Sequence, residues 1–187
     1  MAANKKIGVI QFPGSNCERE TLQALKYYGM SADLLRWTVA VDPFHEYDAY
    51  IIPGGFSFQD RVRAGVIAAK LPIMNEIVIA AQKGKPILGI CNGCQVLAES
   101  GLVPDTQNTQ TIEMALAPNQ KDTHSHGFVC DWVFVKPSQP DQNIFTALFE
   151  PNDVIPIPIN HGEGRFVFQS TTAYPFSTFH YCVLQNY

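Results

Sequence analysis

The residues whose types and spacing could do chemistry lie in one short segment, GKPILGICNGCQVLAESG, at positions 84–101. This segment holds Cys91 and Cys94, two of the five cysteines in the chain. A cysteine can act as a nucleophile, form a redox pair with a second thiol, or bind a metal ion. The three roles require different surroundings, so the neighbouring residues decide between them.

Cys91 stands where the apolar run PILGI ends and a predicted helix begins. Gly89 and Gly93 leave space for a sharp, crowded turn, and Gly-x-Cys-x-Gly is the nucleophile elbow pattern with sulfur in place of the hydroxyl. The N-terminus of the following helix stabilises a thiolate, and the backbone N–H of Asn92 can bind an oxyanion. The pattern therefore predicts that Cys91 is a nucleophile. Cys94, nearly one turn into the helix, is predicted to be an inert packing residue.

Two other interpretations of the cysteine pair stay open. Cys-x-x-Cys before a helix is the signature of thioredoxin-like redox proteins, although such a pair follows the first strand of a small fold. Here three apolar strand candidates precede it, and a redox role leaves the flanking glycines unexplained. A metal site would need further ligands, for which only His124 and His126 in a polar segment present themselves.

The first half of the chain alternates between predicted strands and helices. Apolar, β-branched strands separated by helices indicate an α/β fold with a mostly parallel sheet and helices on both faces. Ser15 or Asn16 is predicted to cap the first helix. The predicted strands are KIGVIQF, ADLLRWTVAV, YDAYII and PILGI, and the predicted helices are CERETLQALKYYG, DRVRAGVIAAK, PIMNEIVIAAQKG and NGCQVLAESG.

The second half has a different character, because its apolar segments resemble strands and no helix is evident. These segments are FVCDWVFVKP, VIPIPINHGEGRFVF and FHYCVLQNY. The polar stretch at 105–126 is predicted to be a long loop or a partly ordered insertion. No linker divides the chain, so residues 1–187 are predicted to form a single domain.

Composition excludes several classes of function. The 187 residues have a net charge of −4 with scattered basic residues, which does not indicate a nucleic-acid surface. The chain has no apolar run of the roughly 18 residues that a membrane helix needs. An odd number of cysteines argues against a disulfide scaffold, and we expect a reducing, cytoplasmic environment.

Four sequence blocks resemble a known family, the class I glutamine amidotransferases. More narrowly, they resemble the glutaminase subunits of phosphoribosylformylglycinamidine synthases, enzymes of purine biosynthesis. The similarity is close over residues 6–104 and looser over 128–187. The blocks, in order, are GVIQFPGSNCERET, YIIPGGFSFQDRVRAGVIAAK, GICNGCQVLAESGLVP and INHGEGRF.

The resemblance implies a class I glutamine amidotransferase-like, flavodoxin-like fold and a reaction. The thiolate of Cys91 attacks the side-chain amide of glutamine, releases ammonia, and leaves a thioester that water hydrolyses to glutamate. The family places the two oxyanion donors at Asn92 and at the turn of Gly54 and Gly55. Without the family, the Pro-Gly-Gly sequence would equally indicate an ordinary turn. Gln95, one helical turn after Cys91, corresponds to a residue that contacts bound glutamine.

The resemblance also implies partners. Ammonia would pass to a synthetase subunit, which carries ATP and magnesium and converts formylglycinamide ribonucleotide into its amidine. A small accessory subunit is expected as well. We expect no cofactor or metal on this chain itself.

One departure from the family concerns the catalytic base. The family completes its triad with His and Glu in a Pro-His-Pro-Glu motif near the C-terminus, and the 187 residues contain no such motif. We therefore expect a chain truncated relative to the family and nearly inactive as it stands, with Cys91 as its only triad member. The alternative is a non-catalytic, partner-binding domain. The histidines of the sequence are His45, His124, His126, His161 and His180. A second departure is Asp131, which stands where relatives commonly have Arg.

Overall fold

The structure is a computed structural model, and it divides into two compact units, Met1–Leu102 and Val103–Tyr187, which we describe separately. The single-domain organisation stays a prediction. The structure describes residues 5–38, 42–105, 108–120, 127–137, 144–168 and 185–186.

The first unit alternates strands and helices, as the apolar pattern predicts. The longest of its helices has 11 residues, and in the described part of the chain we find no helix with the length and apolar character needed to cross a membrane. The strands are β1 (Lys6–Gln11), β2 (Ser31–Arg36), β3 (Ala49–Ile52) and β4 (Ile87–Gly89), and the helices are α1 (Glu18–Tyr27), α2 (Val66–Ala69), α3 (Pro72–Gln82) and α4 (Asn92–Glu99).

The four strands form a parallel sheet in the order β2-β1-β3-β4, which confirms the predicted fold class. The chain moves from β1 to β2 at one edge and then returns to the other side of β1 with β3. Ligands of such doubly wound sheets bind at the carboxyl ends of the strands, next to the point where the strand order reverses. The loops that follow β1 and β3 meet at that point.

Alternate side chains of each strand point to opposite faces of the sheet, and both faces contain buried residues. Helix α1 covers one face through Leu25, which packs with Ile7 and Val9. Tyr50 and Ile52 of β3 are buried on the opposite face, each only 1% exposed. Helix α4 contacts β3 and β4, and its Val96 and Leu97 are buried as the sequence predicts.

Two local predictions in the first unit are wrong. Neither Ser15 nor Asn16 caps α1, whose N-cap is Cys17 without a side-chain cap hydrogen bond. The Ser15 hydroxyl instead accepts a hydrogen bond from the backbone N–H of Phe12 in the turn that follows β1.

The predicted helix DRVRAGVIAAK is reduced to α2, with a 3-10 turn at Ser57–Asp60 before it. Asp60 and Val62 adopt left-handed φ angles of 51° and 73°, which an α-helix cannot contain. Gly65 then passes so close to α4 that a methyl group on it would lie 2.6 Å from the backbone nitrogen of Val96. Contacts with α4, rather than intrinsic helical preference, therefore determine the conformation of this segment.

The second unit contains strands, as its apolar segments predict, and these strands pair in antiparallel fashion. Strand β6 (Val129–Lys136) pairs with β7 (Ile155–His161) and with β9 (Gln185–Asn186). The stretch predicted as a loop contains a strand, β5 (Met114–Ala117), which pairs with β8 (Arg165–Phe168). The remainder of the predicted strand FHYCVLQNY, including His180, lies outside the described residues.

The packing of α3 yields a direct test of this fold. Ile77 is fully buried and Ile79, two residues later on the same helix, is 38% exposed. We expect Ile77→Ala to lower the free energy of unfolding by about 2–5 kcal/mol, because it leaves a cavity under the helix. Ile79→Ala is the matched control and should change it by less than about 1 kcal/mol. Urea denaturation followed by circular dichroism measures both, and equal losses would contradict this packing.

Candidate functional site

Cys91 lies on a strained turn between β4 and α4. It is the N-cap residue of α4, with φ 53° and ψ −111°. A residue with a side chain rarely adopts such a conformation, and when it does the position is often functional. This is the elbow that the glycine spacing predicts, and it lies at the carboxyl end of β4.

Both flanking glycines are needed because the backbone at the elbow is crowded. A methyl group on Gly93 would lie 1.9 Å from the carbonyl oxygen of Ile52, inside any possible contact distance. A methyl group on Gly89 would lie 2.7 Å from the backbone of Gly93. Helix α4 can therefore start directly against β3 only with glycine at these two positions.

The Gly54-Gly55 turn lies beside Cys91 at the same edge of the sheet. β3 and β4 are parallel neighbours, so their carboxyl ends meet. A methyl group on Gly54 would lie 3.3 Å from the Cβ of Cys91. The structure thus brings together Cys91, Gly54 and Asn92, the residue after the nucleophile, as the sequence predicts.

Gly55 is required for a reason that the sequence does not reveal. Its φ is 138°, and a methyl group on it would lie 2.7 Å from the carbonyl oxygen of Gly14. The loop after β1 fills that space, because the N–H of Phe56 donates to Gly14 at 2.9 Å and the N–H of Asn16 donates to Gly54 at 3.3 Å. The close backbone approach at Gly55 is thus to the protein's own loop.

The side chain of Asn92 connects α4 to the segment that follows Gly55. It is 2% exposed, and its Oδ1 accepts a hydrogen bond from the backbone N–H of Ser57 at 3.1 Å. Its Nδ2 donates to Asp60 at 3.2 Å and to the side-chain oxygen of Gln95 at 2.9 Å. The sequence predicts a role for the backbone of Asn92 only, because it contains no local signal for this side-chain network.

An ion pair ties the segment before α2 to the end of α4. The guanidinium of Arg63 donates to both carboxylate oxygens of Glu99, at 2.6 and 2.5 Å. The side chain of Glu99 is almost fully buried and that of Arg63 is partly exposed. A buried carboxylate needs such a partner, so this pair keeps the segment against α4 near Gln95.

A second thiol, that of Cys17, lies next to Gly54, although the sequence does not indicate that it belongs to the site. The Sγ of Cys17 would be 3.7 Å from a methyl group on Gly54, and the residue itself is exposed. Desolvation of its Sγ in the loop, followed by the charges of Glu20 and Cys91, raises the pKa of the Cys17 thiol. Cys94 is half-buried within α4, which fits the predicted packing role.

The histidines divide between the two units. His45 is the only histidine in the sequence of residues 1–102, and it precedes β3, so it belongs to the opposite edge of the sheet from Cys91. His161 lies in the second unit, where its Nδ1 is 3.1 Å from the Oδ1 of the buried Asn119 and desolvation lowers the pKa of its ring. His124, His126 and His180 lie outside the described residues.

The loop around His161 is held by Asn119. The Asn119 side chain donates to the carbonyl oxygens of His161 and Gly127 and accepts from the N–H of Gly164. These hydrogen bonds fix the backbone at His161 within the second unit. Among the described residues, no group of three or more His, Cys, Asp or Glu side chains is suited to hold a metal ion.

The parallel sheet and the cysteine elbow define a class of protein, the α/β proteins with a cysteine at a strand-to-helix elbow. Residues 4–185 match the family described as CobB/CobQ-like glutamine amidotransferase domain, and the chain belongs to this family. This result confirms the resemblance seen in the sequence.

Two similar proteins are the phosphoribosylformylglycinamidine synthase subunits PurQ of Methanothrix thermoacetophila and Pyrococcus furiosus. Each is 42% identical to this chain, over 167 and 161 residues respectively. These matches cover 87% and 86% of this chain and 63% and 65% of the relatives. The chain therefore spans just under two thirds of the length of these relatives.

A similar solved structure is that of PurLQS from Thermotoga maritima. The match has a TM-score of 0.75 and 36% identity, and it covers 90% of this chain and 71% of the other. A glutamine amidotransferase from the same organism matches with a TM-score of 0.56 at 19% identity, covering 88% and 63% of the two chains. The second match supports the fold alone.

The crowding at Gly93 makes the elbow testable. We expect Gly93→Ala to lower the free energy of unfolding by about 1–3 kcal/mol and to change the reactivity of Cys91, because the added methyl must displace Ile52 or the start of α4. Gly127→Ala is the control, since a methyl group there meets nothing within 4 Å. Thermal denaturation and the alkylation rate of Cys91 measure the two effects. Identical behaviour of the two variants would show that the elbow is not built as described.

Proposed function

We propose that this chain is the glutaminase portion of a phosphoribosylformylglycinamidine synthase and that it acts in purine biosynthesis. The observation that carries the proposal is the elbow, which puts Cys91 at the carboxyl edge of the sheet beside Gly54. The names of the similar proteins from Methanothrix thermoacetophila and Pyrococcus furiosus support the choice of this synthase.

In the proposed reaction the Cys91 thiolate attacks the side-chain amide carbon of glutamine. A carbon–sulfur bond forms, the carbonyl oxygen becomes an oxyanion, and its collapse breaks the carbon–nitrogen bond and releases ammonia. The N–H of Asn92 and an N–H of the Gly54-Gly55 turn stabilise the oxyanion. Water then attacks the thioester through a second oxyanion, which releases glutamate and restores the thiol.

Gln95 is the proposed contact to bound glutamine. It is 8% exposed and follows Cys91 by one helical turn. Its side-chain oxygen accepts from Asn92, which fixes the orientation of the amide group. A group oriented in this way can discriminate the substrate amide at little entropic cost, because its rotamer is already set.

The released ammonia is proposed to pass to a synthetase subunit, which carries ATP and magnesium and forms formylglycinamidine ribonucleotide. The structure of PurLQS, an assembly that contains a relative of this chain, supports a subunit partner. A small accessory subunit and a cytoplasmic location complete the proposal. No cofactor is proposed on this chain.

Turnover needs a group that protonates the departing ammonia and activates water. The 187 residues contain no Pro-His-Pro-Glu motif, and His45, the histidine of the first unit, lies at the wrong edge of the sheet. We therefore propose that these residues alone form the thioester slowly and turn over poorly.

The comparison of two chains tests this proposal. One is the 187-residue chain and the other is extended through a Pro-His-Pro-Glu segment, each assayed for glutamate release with the synthetase. We expect the extended chain to be faster by about 10²–10⁴, the usual contribution of a general acid–base group. The extended chain with that histidine replaced by Ala is the control and should fall back to the slow rate. No glutamate from either chain would favour the non-catalytic domain. Equal turnover would show that a histidine already present, such as His161 or His180, serves as the base.

A further inference from the structure

Cys17 and Cys91 both lie next to one glycine, Gly54. A methyl group on Gly54 would contact the Cβ of Cys91 at 3.3 Å and the Sγ of Cys17 at 3.7 Å. The third nearest atom to that point is the carbonyl oxygen of Ile90, at 3.7 Å. Because glycine has no side chain, Gly54 places no atom at this point, which both cysteine side chains approach.

The fold holds this arrangement in place. Cys17 follows β1 and Cys91 follows β4, on strands that both run to the carboxyl edge where β3 delivers Gly54. The N–H of Asn16 donates to the carbonyl oxygen of Gly54, which fixes the loop before α1. The side chain of Thr21 donates to the carbonyl oxygen of Cys17 at 2.7 Å. The backbone of Cys17 is therefore anchored, while its side chain, whose thiol donates to Asn16 at 3.2 Å, lies on the exposed surface.

Cys94 is the nearer cysteine in sequence, but it does not share this space. It lies inside α4, half-buried, and it contributes none of the three atoms closest to the methyl position of Gly54. The Cβ of Cys91 is the atom nearest to that methyl position. A disulfide brings two sulfur atoms to about 2 Å from each other, so the Sγ of Cys17 must leave its contact with Asn16 and turn toward the Sγ of Cys91.

We propose that Cys17 is a resolving thiol, which forms a disulfide with Cys91 when a hydroperoxide oxidises the nucleophile. In the first step the Cys91 thiolate attacks the terminal peroxide oxygen, so that a sulfur–oxygen bond forms, the oxygen–oxygen bond breaks, and water or an alcohol leaves. In the second step the Cys17 sulfur attacks the sulfur of Cys91, the sulfur–oxygen bond breaks, and the hydroxide leaves as water. Two thiols lose two electrons in total, and the hydroperoxide accepts them.

The disulfide has a defined consequence for the site. It removes the thiolate of Cys91, and it protects that sulfur from further oxidation to the irreversible sulfinic acid. Reduction by an external thiol restores the nucleophile. Desolvation, followed by the charges of Glu20, Cys91 and Glu18, raises the pKa of the Cys17 thiol. The second step therefore needs proton loss from Cys17 and should accelerate as the pH rises.

Peptide mapping of the 187-residue chain tests the proposal without measuring turnover, so its outcome is independent of the glutaminase assay. The chain is treated with limiting hydrogen peroxide, alkylated, and digested with trypsin. Cys17 then lies in the peptide 7–19, while Cys91 and Cys94 share the peptide 84–121. A Cys17–Cys91 disulfide joins the two peptides, whereas a Cys91–Cys94 disulfide closes a loop within one of them.

We expect the joined peptides in the unmodified protein and in Cys94→Ser. Fragmentation should locate the bond at Cys91, and dithiothreitol should break it. Cys17→Ser should lose the joined species entirely and accumulate sulfinic acid at Cys91. Circular dichroism checks the fold of each variant, and the mapping of the unmodified protein needs no variant at all. A loop between Cys91 and Cys94, or equal sulfinic acid at Cys91 with and without Cys17, would overturn the proposal.

Discussion

The rest of the site depends on one constraint, the left-handed backbone at Cys91. Its φ of 53° costs about 1–3 kcal/mol relative to a relaxed residue, so the surroundings must enforce it. They do so by direct backbone contact: the N–H of Ile90 donates to the carbonyl oxygen of Ile52 at 2.9 Å, and Gly93 packs against the same carbonyl group. The end of β4 and the start of α4 are thereby locked to β3. The sulfur is consequently presented at the sheet edge beside Gly54.

Polar contacts with α4 hold the segment that follows the Gly54-Gly55 turn. The amide of Asn92 reaches the backbone of Ser57, the carboxylate of Asp60 and the side chain of Gln95. One side chain thus sets the position of the segment after the Gly54-Gly55 turn and the orientation of the proposed substrate contact. The buried pair of Arg63 and Glu99 ties the next part of this segment to the same helix. The proposed oxyanion donors, at Asn92 and at the Gly54-Gly55 turn, thus belong to segments that these contacts hold in place, and donors fixed in advance need no reorganisation when an oxyanion forms.

Much of this architecture could be predicted from the sequence, because the signals are local. The apolar runs and their spacing indicate the parallel sheet, and Gly89 and Gly93 around Cys91 indicate the elbow. The side-chain role of Asn92 could not be predicted, because Ser57 lies 35 residues away and only the folded chain brings them together. The same holds for Cys17, whose relation to Cys91 arises from the strand order.

The two wrong secondary-structure predictions have similar causes. The segment DRVRAGVIAAK has helical composition, but left-handed residues at Asp60 and Val62 and the contact of Gly65 with α4 allow only a short helix. Strand β5 is four residues long and is surrounded by polar sequence, and its partner β8 begins at Arg165. Tertiary contacts override local preference in both places.

The central claim is that Cys91 is a nucleophile at a site that recognises glutamine. The most direct measurement is the rate at which an electrophilic glutamine analogue modifies each cysteine, determined by peptide mapping after limited labelling in the presence and absence of glutamine. We predict that Cys91 reacts first, that glutamine slows its labelling, and that asparagine at the same concentration does not. Labelling of Cys17 or Cys94 at the rate of Cys91, or a rate at Cys91 that glutamine does not change, would contradict the account.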